Sequence, residues 1–268
     1  MDTKTVKLLA FLLNQKMRKA KLIFLIILLI GVVAKSDVVL PYAENFDGKQ
    51  IGSSFEDWSH PLGEILGPGS TPFGENIPFS GNYLFISGSQ GQSASTAFSE
   101  ITNNANFNLD FYSLPNPGYV PPGAFRGGAD FFITADSAYA RAPRVGVGIF
   151  GEMWQNPSDI DVYFKAEYLD GSSIISIPIG TIGHGESYHL SIALNQDIVN
   201  VYVTSPSTNI NYEYALGGNF PANGVMIWEG SYPANEYGVG IDNMLVTPEP
   251  TTFLLLTLGC GFLLRKRV

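Results

Sequence analysis

Alternating large apolar and polar residues recur between Asp37 and Thr247 and predict β-strands. The clearest segment, residues 188–194, reads Tyr-His-Leu-Ser-Ile-Ala-Leu, and an alternation of period two places every second side chain on one face of a strand. A second apolar segment, residues 198–203, follows the short turn Asn195-Gln196-Asp197. Two such segments joined by so short a turn predict a β-hairpin.

Comparable apolar segments recur along the same region, separated by Gly, Pro, Asn and Asp. They predict strands at 82–87, 107–112, 130–135, 144–150, 160–169, 174–179, 210–216, 224–229 and 237–246. No amphipathic helical segment of comparable length interrupts them. Many short strands bury their apolar faces most simply in a sandwich or jelly roll, so one all-β domain is expected over residues 37–246.

Two turn-rich stretches interrupt the strand pattern. Residues 113–128 contain four prolines, which cannot donate to a sheet ladder, so a long loop is expected there. Residues 60–81 are also rich in turn-forming residues, and we expect them to wrap over one face of a sheet.

Acidic residues dominate the region between Asp37 and Thr247. It holds five Lys and Arg against 22 Asp and Glu, a formal charge of −17, whereas the whole chain carries −9. Nucleic acids and anionic membrane surfaces require clustered positive charge, so neither is expected as a partner. Neutral glycans, cations and basic surfaces remain. The only cysteine, Cys260, lies outside this region, so the domain has no disulfide.

The last 22 residues, 247–268, combine a Pro-Glu-Pro triplet, an apolar segment and a basic end. The triplet is Pro248, Glu249 and Pro250, and the basic end is Arg265, Lys266 and Arg267. The apolar segment, 253–264, would be a helix of about 18 Å, shorter than the hydrocarbon core of about 30 Å. Basic residues directly after such a segment remain on the cytoplasmic side during insertion.

These three parts, in this order at a C-terminus, resemble the PEP-CTERM sorting signal of bacteria. The resemblance implies that exosortase, a membrane-embedded processing enzyme, recognises the tail and removes it near the triplet. It implies transient membrane insertion and delivery outside the inner membrane, to the cell surface or extracellular matrix. Members of that family are often linked to exopolysaccharide.

The N-terminus carries the features of an export signal. A basic stretch starts at Met17, residues 22–34 are apolar, and Ala34-Lys35-Ser36 is a small-x-small cleavage site. A signal peptide is therefore expected over 1–36, with cleavage between Ser36 and Asp37. Translation starts either at Met17 or at Met1 with a long extension, and a retained signal anchor is the alternative. Both apolar ends are expected to be helices that flank the sandwich.

Short motifs at both ends of the acidic region resemble concanavalin A-like or laminin-G-like jelly rolls. They are Glu44-Asn45-Phe46-Asp47-Gly48, Trp58, the 187–204 hairpin and the closing segment 240–246. Galactose-binding jelly rolls carry similar motifs at the start and end of the domain. The resemblance implies a single jelly roll whose first and last strands lie side by side, and some members hold a structural calcium.

Such a pairing would bring Glu44 or Asp47 close to Asp242 and Asn243. Carboxylate and carbonyl oxygens are the ligands that Ca²⁺ requires, so these four residues are the candidate metal site. In the alternative interpretation Asp242 and Asn243 only form hydrogen bonds with neighbouring backbone. Asp159 and Asp161 alternate with Ile160 and offer either a second cation site or a solvated strand edge.

No catalytic constellation stands out. His60, His184 and His189 lack zinc-site spacing. Jelly-roll glycosidases need paired carboxylates, and the chain has no Glu-x-Asp-x-x-Glu cluster. A non-catalytic protein is therefore expected.

Sugar rings stack on exposed aromatic rings, and five aromatic residues lie in or near loop-like segments: Trp58, Tyr119, Trp154, Trp228 and Tyr232. Trp154 is the best candidate ligand contact, with core packing as the alternative for each. The sequence thus predicts a glycan-binding or matrix-structural protein, with a secreted glycan-active hydrolase or lyase as the alternative.

Overall fold

β-Strands supply all the regular structure in the described part of the chain. The computed structural model describes residues 37–59, 63–69, 77–87, 93–115, 126–136, 141–152, 159–183, 185–229 and 237–248. The strands are β1 (Asp37–Val38), β2 (Tyr42–Glu44), β3 (Glu64–Leu66), β4 (Tyr83–Ser87), β5 (Ser93–Thr102), β6 (Asn104–Pro115), β7 (Arg126–Thr134), β8 (Arg144–Glu152), β9 (Asp159–Glu167), β10 (Ile174–Gly183), β11 (Ser187–Asn195), β12 (Ile198–Thr204), β13 (Asn209–Ala215), β14 (Ala222–Glu229) and β15 (Tyr237–Pro248).

The strands form two antiparallel sheets, as the sequence predicted. One sheet has the order β1-β5-β14-β7-β8-β9-β10. The other has the order β13-β12-β11-β6-β15-β4-β3, with β2 also paired to β15. The two sheets make a jelly-roll β-sandwich, so the expected fold class is confirmed. The sandwich lies in a compact unit that begins at Val38.

The core lies between the two sheets and follows the alternation seen in the sequence. In β11, Tyr188, Leu190, Ile192 and Leu194 are buried while the residues between them are not. The β11–β12 hairpin is confirmed, with Asn195 opposite Ile198. Burial of a large apolar side chain contributes about 1.5–3 kcal/mol, so this regular alternation fixes which face of each strand turns inward.

One long strand escaped the sequence analysis. β5 reads Ser-Ala-Ser-Thr-Ala-Phe-Ser-Glu-Ile-Thr, and its small residues give little hydrophobic contrast. Tertiary pairing with β14 makes it a strand nevertheless. The β propensity of such residues depends on what they pack against, which the sequence does not show.

Two expectations about local structure change. The predicted loop over 113–128 is shorter, because residues 113–115 belong to β6 and 126–128 to β7; residues 116–125 lie outside the described chain. The interpretation of Asp159 and Asp161 as a sheet edge is wrong, because β9 pairs with both β8 and β10. Residues 113–115, which were expected in the loop, instead pair with β15, and this pairing continues to Pro115.

The stretch 60–81 does cover a sheet face where it is described. Ile77 and Phe79 are buried in a small cluster with Tyr83, Phe85 and Tyr112. This cluster lies over Gly240, where an added Cβ would come within 2.9 Å of Ile77 Cδ1. The close approach explains why β15 carries a glycine at this position.

The predicted processing signals lie almost wholly outside the described residues. This holds for Ser36, Glu249, Pro250, Arg265, Lys266 and Arg267, and for both flanking helices. Asp37 begins β1, and Pro248 ends β15 opposite Ala105. Within the described residues, no helix has the length and apolarity needed to cross a membrane.

Candidate functional site

The structure brings the two ends of the sandwich together where the sequence predicted a metal site. β2 pairs with β15, and Met244 lies opposite Glu44. β4 pairs with the first part of β15 as far as Ile241. Asp242 and Asn243 therefore lie between the end of one partner strand and the start of the other, at an irregularity in the pairing of β15 with β6.

Asp242 and Asn243, which lie between the β4 and β2 pairings of β15, form hydrogen bonds with nearby residues. Asn243 has a φ of 52°, in the left-handed region that asparagine tolerates better than most residues. Its backbone N–H donates to Asp242 Oδ1 at 2.7 Å, and its Nδ2 donates to Asp110 Oδ2 at 2.8 Å. Asp110 Oδ1 also lies 2.8 Å from His189 Nδ1. The side-chain network thus extends from β15 across β6 to β11.

The other two predicted ligands also have protein partners. Glu44 Oε1 accepts the backbone N–H of Phe46 at 2.8 Å, and its Oε2 lies 3.3 Å from Lys49 Nζ. Asp47 Oδ1 accepts the backbone N–H of Asn82 at 3.0 Å. Glu44 and Asp47 thus accept hydrogen bonds from neighbouring backbone, the role that the alternative interpretation gave to Asp242 and Asn243.

Several negative charges nevertheless converge on Asp242. Burial, together with Asp47, Asp110 and Glu44, raises the pKa of Asp242 to about 6. No group of three or more His, Cys, Asp or Glu in the described residues is arranged to hold a metal ion. A cation here would therefore need backbone oxygens and water to complete its ligands, as Ca²⁺ often does.

A second polar cluster, which the sequence analysis missed, lies on the outer face of the seven-stranded sheet. Asp130, Arg144, Lys165 and Glu167 alternate along β7, β8 and β9 with residues of the core, so they point away from it. All four are nonetheless largely covered, with side-chain exposures of 2%, 5%, 13% and 4%. We call these four residues the ion network.

Within the ion network each cation has a carboxylate partner. Glu167 Oε2 lies 2.7 Å from Arg144 Nε and 2.5 Å from Nη2. Lys165 Nζ lies 2.8 Å from Asp130 Oδ2 and 3.8 Å from Glu167 Oε1. Register supports these contacts, since Arg144 is directly opposite Glu167 across β8 and β9. Buried charges are tolerated only when paired in this way.

Asp130 is the least satisfied member of the ion network. Its Oδ1 is buried without a hydrogen-bond partner in the described structure, and burial raises the pKa of Asp130 to about 6 despite the nearby Lys165. Gly148 makes room for this carboxylate, because a Cβ there would lie 2.5 Å from Oδ1.

Aromatic rings surround the two cations. The Arg144 guanidinium carbon lies 5.0 Å from the ring centres of Phe132 and Trp228 and 5.3 Å from that of Tyr168. Lys165 Nζ lies 4.6 Å from the ring centre of Phe150. Such contacts are worth about 0.5–2 kcal/mol each, so the ion network holds several rings in fixed positions.

Phe150, Tyr163 and Trp228 are rings on this face that remain partly exposed, as does Tyr168 beside Arg144. The Phe150 and Tyr163 rings meet edge to face at 6.2 Å. Among the aromatic candidates from the sequence, Trp58 is a core residue with 6% exposure. Trp154, Tyr119 and Tyr232 lie outside the described residues. Trp228 is therefore the candidate that the structure places on an outer sheet face.

One signal in the sequence pointed to this face. Residues 160–169 were predicted as a strand, and they carry Lys165 and Glu167 two positions apart among apolar residues. Charges at alternate positions of an otherwise apolar strand indicate a second, polar environment on its outer face. What the sequence did not show is that Asp130 and Arg144, from two other strands, meet them there.

Comparison with known proteins yields fold similarity alone. No protein-family profile and no characterised protein sequence matches the chain. Among solved structures, it is similar to a CBM2 module of the evolved Dit of Lactobacillus casei BL23 phage J-1, with 14% identity, a TM-score of 0.47, and coverage of 76% of this chain and 93% of that one. LamAcat from Zobellia galactanivorans has 12% identity and a TM-score of 0.45, with coverage of 78% of this chain and 97% of that one. A legume lectin-like domain from Entamoeba histolytica has 12% identity and a TM-score of 0.38, with coverage of 64% of this chain and 86% of that one. At such identities the similarity concerns the course of the chain and says nothing of individual residues.

Proposed function

We propose that this protein is an exported, non-catalytic glycan-binding protein whose ligand lies on the outer face of the seven-stranded sheet. The observation that carries the proposal is the set of partly exposed rings, Phe150, Tyr163 and Trp228, on that face. Sugar faces are apolar enough to stack on such rings, and rigid aromatic groups bind with little loss of conformational entropy. Arg144 and Lys165 of the ion network contact the Trp228 and Phe150 rings and help to keep them in place.

The same geometry favours binding over catalysis. A glycosidase needs two carboxylates that reach the scissile bond from either side. On this face Asp130 and Glu167 are almost fully buried, and both pair with cations of the protein. The alternative, a secreted glycan-active hydrolase or lyase, requires two carboxylates that both reach the substrate.

Replacing Trp228 with alanine tests the proposed binding face. We expect the affinity for polysaccharide purified from the producing cells to fall about tenfold, which corresponds to about 1.4 kcal/mol, while Trp228→Phe retains most of it. Affinity is measured by calorimetry, and thermal unfolding checks that the variants remain folded.

The matched control is Tyr202→Ala. Tyr202 is 37% exposed on the outer face of the other sheet, so its removal should leave the affinity unchanged. Equal losses from both variants, or no binding by the parent protein, would overturn the proposal.

Export and sorting form a second part of the proposal. We propose cleavage after Ser36 and exosortase-dependent removal of the tail near Pro248, Glu249 and Pro250. Pro248 is the last residue of a paired strand, so cleavage after it would leave β15 whole. Intact-mass analysis of the protein from cell surface and medium should give a product that begins at Asp37 and ends near Pro248 in parent cells. A product that still carries Arg265-Lys266-Arg267 in parent cells and in cells without exosortase contradicts this part.

A structural calcium near Asp242 remains a separate proposal. Its support is the convergence of Glu44, Asp47 and Asp110 on that buried carboxylate. Calcium should raise the midpoint of thermal unfolding of the parent protein, whereas the midpoint of Asp242→Asn should be the same with and without calcium. An equal response of both proteins, or none by the parent, would show that these residues bind no calcium.

A further inference from the structure

The outer face of the seven-stranded sheet, called the ligand face below, carries two basic residues whose side chains are described, Arg144 and Lys165. Both of its described basic side chains are already engaged: Arg144 with Glu167 and the surrounding rings, and Lys165 with Asp130 and Glu167. Recognition of uronate or sulfate groups relies on Arg or Lys side chains that can form charge-assisted hydrogen bonds with the ligand. These two side chains would therefore give an acidic polysaccharide no charged partner in exchange for its lost hydration.

The charge of the whole region points the same way. Residues 37–247 carry a net charge of −17, and Lys49, the third paired cation, is neutralised by Glu44 and Asp57. A field of this sign repels polyanions and raises the local concentration of polycations.

A carboxylate and two aromatic rings adjoin at one end of the ligand face. Asp161 lies directly opposite Phe150 across β9 and β8, and the Tyr163 hydroxyl donates to Asp161 Oδ2 at 3.3 Å. The carboxylate of Asp161, which is only partly buried, therefore adjoins two partly exposed rings. A carboxylate beside aromatic rings suits an ammonium group, which is attracted by both.

We infer that the glycan bound by this face carries free amino groups, as in a deacetylated amino-sugar polymer, and that Asp161 with Phe150 and Tyr163 binds the ammonium. This inference rests on the proposed function and names the chemical class of its ligand. It also gives a role to Asp161, which neither the ion network nor the core uses.

The test compares hexamers of glucosamine, N-acetylglucosamine and a uronic acid, at a pH where the amine is protonated. We expect the parent protein to bind the glucosamine hexamer about five- to tenfold more tightly than the acetylated one, and the uronic acid hexamer most weakly. Because Coulomb attraction between exposed groups is screened, the preference should shrink as salt rises. Asp161→Asn should abolish the preference and leave affinity for the acetylated hexamer unchanged.

Glu213→Gln is the matched control, because Glu213 is an exposed acid on β13 of the other sheet. It changes the net charge equally and should retain the preference. Equal affinity for the amino and acetylated hexamers would overturn the inference while leaving the proposed function standing. An equal loss of this preference in Asp161→Asn and Glu213→Gln would also overturn the inference, because it would indicate non-specific charge attraction. Failure of the glucosamine hexamer to bind also overturns it, and the polysaccharide experiment with Trp228→Ala decides the proposed function independently.

Discussion

Glu167→Ala is expected to lower the free energy of unfolding by about 3–5 kcal/mol. The substitution removes the carboxylate that pairs with both Nε and Nη2 of Arg144. Arg144 is a buried residue whose guanidinium contacts three aromatic rings. A buried charge that loses its counter-ion keeps its desolvation cost and loses the attraction that offset it. Chemical denaturation followed by tryptophan fluorescence measures the change.

Two further variants separate this cause from a general loss of packing. Glu213→Ala removes an exposed acid from β13 and should change the stability by less than about 0.5 kcal/mol. The double variant Arg144→Met with Glu167→Leu removes both charges and should be more stable than Glu167→Ala, because apolar side chains of similar size need no counter-ion. A loss below about 1 kcal/mol in Glu167→Ala would mean that the ion network does not depend on this pair.

Asp130 is expected to make the protein less stable as the pH rises from about 4 to about 7. Its folded-state pKa is raised to about 6 by burial, from an ordinary value of 3.8. Below about pH 4 the carboxyl is protonated in both states. Between about pH 4 and 6 the unfolded chain releases the proton first, so unfolding becomes more favourable. The full change is about 2–3 kcal/mol, at about 1.4 kcal/mol for each pKa unit.

Asp130→Asn isolates this contribution. The groups that face Asp130 are Lys165, Glu167 and Arg144, and all three remain in the variant. The pKa of Asp242 is also raised, and this residue contributes the same pH dependence of the free energy of unfolding to both proteins. The parent should therefore lose about 2–3 kcal/mol more than Asp130→Asn over this pH interval, measured by denaturation at each pH. Parallel curves for the two proteins would contradict the role given to Asp130.

The sequence by itself determined the fold class and most of the strands. Where one face of a strand is apolar and the other polar, as in 188–194, period-two alternation specifies both the strand and its buried face. The resemblance to jelly rolls led us to expect the two ends of the sandwich to meet, and β2 pairs with β15. The alternation failed for β5, whose small residues show no contrast between the two faces.

Only the tertiary structure decided which polar residues act together. Asp130, Arg144 and Glu167 come from three strands and are up to 37 positions apart in sequence, so no local pattern links them. Sheet register sets Arg144 opposite Glu167, and the absence of a side chain at Gly148 leaves room for Asp130. The same register places Asp161 opposite Phe150. Alternation along a strand shows that a residue faces outward, but the residues beside it on that face come from neighbouring strands, whose register depends on the packing of the whole sheet.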